Sequence, residues 1–211
     1  ASIAIVAFFG VSVAKASAST TVFNTNPLDY ATALVSNYTT APGCQTCWSP
    51  SVTMAPGQVV SMKLYYHNTG TVTATDTRVR MSPQTTPVVN SKMLAAGVWS
   101  SNASLVIGYG TVTIPGTPQT ITYIPGTAAW FPEHGPANAP QYFSPAQEAA
   151  LFSASGVSIG DIAPDSTCPS TQTFCHQGSV VARFQIGNAV VNPTTYICSD
   201  NIDNDYDGLT D

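Results

Sequence analysis

The sequence predicts an all-β fold, and three observations carry that expectation. Only 8% of the 211 residues are charged, whereas surface helices draw on Lys and Glu and a typical soluble domain carries about 25%. Short runs rich in Val, Thr and Tyr alternate in hydropathy and end in turn formers, as at Ala55-Pro56-Gly57-Gln58 and His67-Asn68-Thr69-Gly70. Finally, 44% of the residues are hydrophobic and the formal charge is only −5. That combination excludes a disordered chain, and the length suffices for one substantial core.

The first element is an apolar stretch, residues 1–14, which precedes the first charge at Lys15. The small residues that follow, AKASAS, fit signal-peptidase sites, so the stretch reads as the apolar region of a secretory signal. Retained in the mature chain, it has to bury its side chains elsewhere, since spanning a bilayer takes about 20 apolar residues. As a strand it puts Ile3, Ile5, Phe9, Val11 and Val13 on one face. Such a strand can complete the sheet of a neighbouring copy by β-strand addition. As a helix it would be apolar nearly all round, like the core helix of a pilin, but its β-branched residues and Gly10 favour the strand. Burying five apolar side chains at ~1.5–3 kcal/mol each supplies roughly 8–15 kcal/mol before ordering costs.

Residues 20–192 form the predicted body. Strands are expected at 51–54, 59–66, 72–81, 104–114, 119–124 and 179–187. Residues 126–150 break that rhythm with Pro and Ala and read as an insertion. Within it Ser144-Pro145-Ala146-Gln147-Glu148 opens a short helix, with Ser144 as N-cap and Pro145 in the first turn.

Residues 52–81 and 158–186 carry a resemblance. A Pro-Gly turn, a strand ending in Asn-Thr-Gly, a following Ala-Thr-x-Thr-x-Val and a later Ile-Ala-Pro before the last hairpin resemble the Ig-like conserved-repeat domains of bacterial and archaeal surface proteins. The resemblance implies an Ig-like antiparallel β-sandwich and a surface-structural role. The cysteine-bearing insert at 168–175 departs from that family's tight turn.

The tail, residues 193–211, is acidic. Asp200, Asp203, Asp205, Asp207 and Asp211 are five of the eleven acids. Residues 1–199 therefore hold six acids and six bases. A neutral body offers no basic surface for nucleic acid and little charge repulsion between copies. Asp203-x-Asp205-x-Asp207-Gly208 matches the front of a calcium loop of the EF-hand kind. Asp203, Asp205 and Asp207 would give carboxylate oxygens, Leu209 its carbonyl and Asp211 the ninth position, while the closing carboxylate would follow Asp211. The expectation is a calcium site in a protein that continues past Asp211, and the tail also resembles calcium tails of secreted bacterial proteins.

Five cysteines remain to be placed. Cys44–Cys47 and Cys168–Cys175 are expected as two local disulfides, which places the protein outside the cell. A redox C-x-x-C lacks its βαβ context, and a zinc site would need an unusual second spacing. Cys198 is left without a partner.

His67, His134 and His176 show no metal or catalytic spacing, and His67 is expected in a turn. Glu133 and Glu148 are the only glutamates and make a poor glycosidase pair. Trp48, Trp99, Trp130 and Phe131 suit either packing or a sugar-binding face. Asn37 and Asn102 head N-glycosylation triplets.

The expectation is thus a non-enzymatic, extracellular subunit whose partners are copies of itself, other surface proteins or glycans, with no nucleic acid and no stable membrane span. A pilin-like subunit and a monomeric adhesion module are the other two readings.

Overall fold

Alternation along Val59–His67 (β3) sends Val60, Met62, Leu64 and Tyr66 to one side, and each is at most 1% exposed. The same period sends Ser61, Lys63, Tyr65 and His67 to the other side. The computed structural model describes residues 20–82, 84–86, 89–132, 139–168 and 175–187. The apolar residues Ile3, Ile5, Phe9, Val11 and Val13 lie outside them, as do Cys198, Glu133, His134 and the tail ligands Asp203, Asp205, Asp207, Leu209 and Asp211.

Two sheets pack face to face. The remaining strands are β1 (Ala33–Asn37), β2 (Ser51–Thr53), β4 (Ala74–Ser82), β5 (Ser91–Ser100), β6 (Ala103–Thr113), β7 (Ile121–Tyr123), β8 (Ala129–Pro132), β9 (Gln141–Tyr142), β10 (Val157–Ile162) and β11 (Gln177–Ile186). The first sheet runs β1-β3-β11-β8-β9, with β7 also pairing β11. The second runs β10-β4-β5-β6-β2. The fold is an all-β sandwich, as the composition implies. Every ladder is antiparallel except β2 on β6, where Ser51 pairs Thr111 and Thr53 pairs Thr113 in parallel. The chain reaches β2 by crossing from β1 in the opposite sheet, which removes the hairpin constraint that would make neighbours antiparallel.

The long ladder is β3 with β11, in continuous register from Gln177↔His67 to Gln185↔Val59. Val180, Ala182, Phe184 and Ile186 of β11 continue the inward face of β3, each no more than 1% exposed. From the second sheet Val79, Met81, Leu94, Ala96, Val98 and Val112 meet them. The sheets approach tightly where β6 passes β1. A Cβ on Gly108 would lie 2.7 Å from the Ala33 nitrogen, and one on Gly110 would lie 2.6 Å from Val35 Cγ1. No larger residue fits either place without parting the sheets.

Residues 126–150 do more than insert. They supply β8 and β9 to the first sheet and then the helix α1 (Pro145–Leu151). The helix starts as its sequence predicts. Ser144 Oγ accepts from the Gln147 amide at 3.4 Å, while Gln147 Oε1 accepts from the Ser144 amide at 2.9 Å, a reciprocal capping box with Pro145 in the first turn. Glu148 turns inward, accepting from the Tyr123 hydroxyl and from the Gly126 amide at 2.9 Å. Burial raises the Tyr123 phenol above its ordinary value, and the Glu148 carboxylate adds to the shift. Phe152 then stacks at 4.4 Å on Tyr123, which lies 5.8 Å from Phe184. No helix among the described residues is long and apolar enough to cross a membrane.

Leu64 is fully buried at the centre of β3, so Leu64→Ala is expected to cost about 2–5 kcal/mol in urea unfolding. Met93, 61% exposed, should tolerate the same truncation within about 0.5 kcal/mol.

Candidate functional site

On the outer face of the second sheet, the period-two rule brings Met93, Ala95, Gly97 and Trp99 of β5 beside Leu105, Ile107 and Tyr109 of β6. Ala95 pairs Tyr109 and Gly97 pairs Ile107. The small residues leave a shallow groove, walled on one side by Ile107 and Tyr109 and on the other by Arg80 and the turn at Ser153–Ala154. Met93, Leu105, Ile107 and Tyr109 are 61%, 41%, 43% and 53% exposed. Such a run of large apolar side chains in water is a recognised mark of an interaction surface. The strand signal at 104–114 was legible in the sequence. Which face of that strand stays uncovered was not.

The outer face of the first sheet is different, because it is buried and polar. Lys63 Nζ lies 4.7 Å from the ring centres of both Tyr30 and Trp48. No hydrogen bond or ion pair to it is present among the described residues. Desolvation lowers its pKa to about 8. One register step on, Arg183 stacks over Tyr38 at 3.9 Å.

At the end of the same face His67 closes β3, rather than occupying a turn as its Asn-Thr-Gly neighbours suggest. Residues 23–32 and the 3-10 turn Asp165–Thr167 fold over it. Its Nδ1 is 2.7 Å from Asp29 Oδ1, and its Nε2 is 3.1 Å from Asp165 Oδ1. The second contact is electrostatic, because Nε2 makes no well-aligned hydrogen bond. Tyr65 Oη sits 3.0 Å from Asp29 Oδ1 and 2.7 Å from Gln177 Oε1. Burial, and then the Asp29 charge, push the Tyr65 phenol well above its ordinary value. The cluster ties residue 29, the end of β3 and the start of β11 together and has little opening to solvent. Its chemistry is that of a clamp.

The remaining expected residues fall in separate places. Cys44 and Cys47 stand at disulfide distance, with sulfurs 1.95 Å apart, and so do Cys168 and Cys175, with Cα atoms 5.8 Å apart. Both expected local pairs are thus brought within disulfide distance. Trp48 covers Lys63, Trp99 lies against Arg80 on the other sheet at 5.7 Å, and Trp130 packs on the core and donates to the Tyr66 hydroxyl at 2.7 Å. These rings do not share one face, so they form no single sugar platform. Asn37 Nδ2 donates to Gln58 Oε1 at 3.0 Å, and Asn102 Nδ2 donates to the Thr73 carbonyl at 2.9 Å. Both amides serve as structural donors. His176 adopts a positive φ of 62° beside Cys175 and sets Nε2 3.1 Å from Thr167 Oγ1. No group of three His, Cys, Asp or Glu side chains suited to a metal occurs among the described residues. No family model, curated protein or solved structure matches the chain.

Two measurements test these assignments. The unfolded chain keeps Lys63 protonated up to its ordinary value of 10.5, whereas the folded chain releases that proton near pH 8. The desolvation penalty is therefore full below pH 8 and is relieved as pH rises from 8 toward 10.5. The stability of Lys63→Met relative to the parent chain should be highest below pH 8 and should fall across that window, as followed by urea unfolding at each pH. Asp29→Ala leaves the Tyr65 hydroxyl and His67 Nδ1 without their carboxylate, and should lower unfolding stability by about 1–3 kcal/mol at pH 7.

Proposed function

We propose that this chain is a structural subunit of an extracellular filament or surface appendage, assembling with copies of itself by β-strand donation from its apolar N-terminus. The observation that carries the reading is the exposed apolar surface made by Met93, Leu105, Ile107 and Tyr109. It lies on a domain whose residues 1–199 are electrically neutral. A protein that works alone in water covers or charges such a surface; a subunit keeps it for its neighbour.

Three further features support the reading. The chain holds two short-range cysteine pairs at disulfide distance, a device of oxidising surroundings. The two-sheet architecture suits the Ig-like surface modules that residues 52–81 and 158–186 resemble. The buried clamp at His67 and the capped helix tie loops to the sandwich, which fits a load-carrying or spacing role better than chemistry. The tail belongs to the same reading: Asp203, Asp205, Asp207, Leu209 and Asp211 would hold calcium.

Deletion of residues 1–14 should convert an assembling protein into a soluble monomer, read by electron microscopy and light scattering. Filaments forming normally from the deletion would overturn the donor role. N-terminal sequencing of the secreted protein provides the second check. A mature chain beginning near Thr20 lacks the donor and would leave a monomeric surface module.

A further inference from the structure

Strand donation needs an acceptor, and four sheet margins compete for the part. In the first sheet, the outer edge of β1 is already engaged, since Val35 exchanges hydrogen bonds of 2.8 and 3.0 Å with Ser49. At the other margin β9 is two residues long, and β7 beside it is engaged by the Thr86 amide, which donates to the Ile121 carbonyl at 2.9 Å. In the second sheet, β10 carries two register shifts, with Gly160 at φ +83° and Asp161 between them. Bulges, a charge and shortness are the usual means by which an edge is kept from pairing.

The fourth margin is guarded least, since its one register shift lies at its end, between Val106 and Ala103. β6 is eleven residues long, and β2 covers only Thr111–Thr113. The amide of Thr111 donates to the Pro50 carbonyl, and the Thr113 carbonyl accepts from Met54, each at 2.8 Å. These two residues therefore aim their backbone groups away from β5. Register with β5 is unbroken from Thr113 back to Val106. By the two-residue period Ile107 and Tyr109 aim theirs the same way, and no partner for them occurs among the described residues. The stretch contains neither charge nor proline. Its outward side chains are the exposed Leu105, Ile107 and Tyr109, and Val106 on the inner side is only partly covered.

The geometry points to the β6 edge, Ala103–Gly110, as the acceptor for residues 3–13 of a neighbouring copy. This inference rests on the self-assembling reading proposed above. The occupant is argued from length and pattern. The open stretch is eight residues, roughly 26 Å at 3.3 Å per residue. The uncharged run of residues 3–13 exceeds it, and residues 14–19 remain as a link to Thr20. Residues directly opposite one another in a ladder share a face. Ile3, Ile5, Phe9, Val11 and Val13 would extend the apolar patch beside Leu105, Ile107 and Tyr109. The alternate set, Ala4, Val6, Phe8, Gly10 and Ser12, would face the inner side, where Val106 is only partly covered.

The test uses the full chain and three variants. Ile107→Pro removes one outward N–H at a position where a sheet edge tolerates proline, and Ile107→Lys adds a charge to the same edge. Each should retain the parent's circular dichroism and raise the protein concentration needed for assembly by about tenfold or more. If Ile107→Pro fails to fold, Ile107→Lys carries the test. In a Cys198→Ser background, a copy bearing Ile107→Cys should form an intermolecular disulfide with a copy bearing a cysteine at position 5, 9 or 11. Normal assembly of both Ile107 variants, while deletion of residues 1–14 still abolishes it, would place the acceptor elsewhere and leave the proposed function standing. Assembly that survives the deletion would overturn both. Cross-linking of Ile107→Cys to itself would show pairing between two β6 edges, and a bond within one chain would show self-closure. Either result overturns the assigned occupant.

Discussion

The β3–β11 ladder is the constraint on which the rest of the molecule depends. β3 is buried on both faces and β11 is buried on one and half-buried on the other, so neither can slip by one residue without exchanging its core side for its polar side. Inward, Val60, Met62, Leu64, Tyr66, Val180, Ala182, Phe184 and Ile186 form the central stripe that the first sheet gives the sandwich core. Outward, the same two strands hold Lys63, Tyr65, His67, Gln177 and Arg183, over which residues 23–32 and the Trp48 segment fold. Local segments that no sheet includes are thus fixed by the register of one pair of strands.

Polar groups are treated differently on the two outer faces. On the first sheet, a lysine, an arginine, a histidine and a tyrosine meet rings and carboxylates, so that burial is offset by cation–π contact and hydrogen bonding. On the second sheet, apolar side chains of β5 and β6 stand in water. The contrast assigns the faces different roles. The covered face supplies rigidity, and the uncovered one supplies surface. The pinch at Gly108 and Gly110 links the two, since it lets β1 support β6 from behind while leaving the free edge of β6 open.

Legibility in the sequence followed the strength of local pattern. β3 alternates cleanly between Pro-Gly and Asn-Thr-Gly turns, and its predicted span differs from the observed one by a residue. The N-cap of α1 was readable because its signal, Ser144 followed by Pro145, lies in adjacent residues. β5 was missed: its sequence, SKMLAAGVWS, sets Ala and Gly where β-formers are expected, and only pairing with β4 and β6 makes it a strand. β1 was missed because five residues carry too little periodicity. The disulfide pairs were legible from spacing, whereas the His67 clamp was not, because its members come from positions 29, 67, 165 and 177.

By itself, the sequence determined the class of fold, the neutrality of the body, the local cysteine pairing and the start of the helix. All are properties of composition or of short stretches of chain, where backbone preference and hydropathy act between near neighbours. Tertiary structure alone decided which strand became an edge, which apolar side chains stayed in water and which buried cation met which ring. Those outcomes depend on strand order and on the close approach of the two sheets at Gly108, and strand order is set by the summed burial of distant segments, which no local window contains.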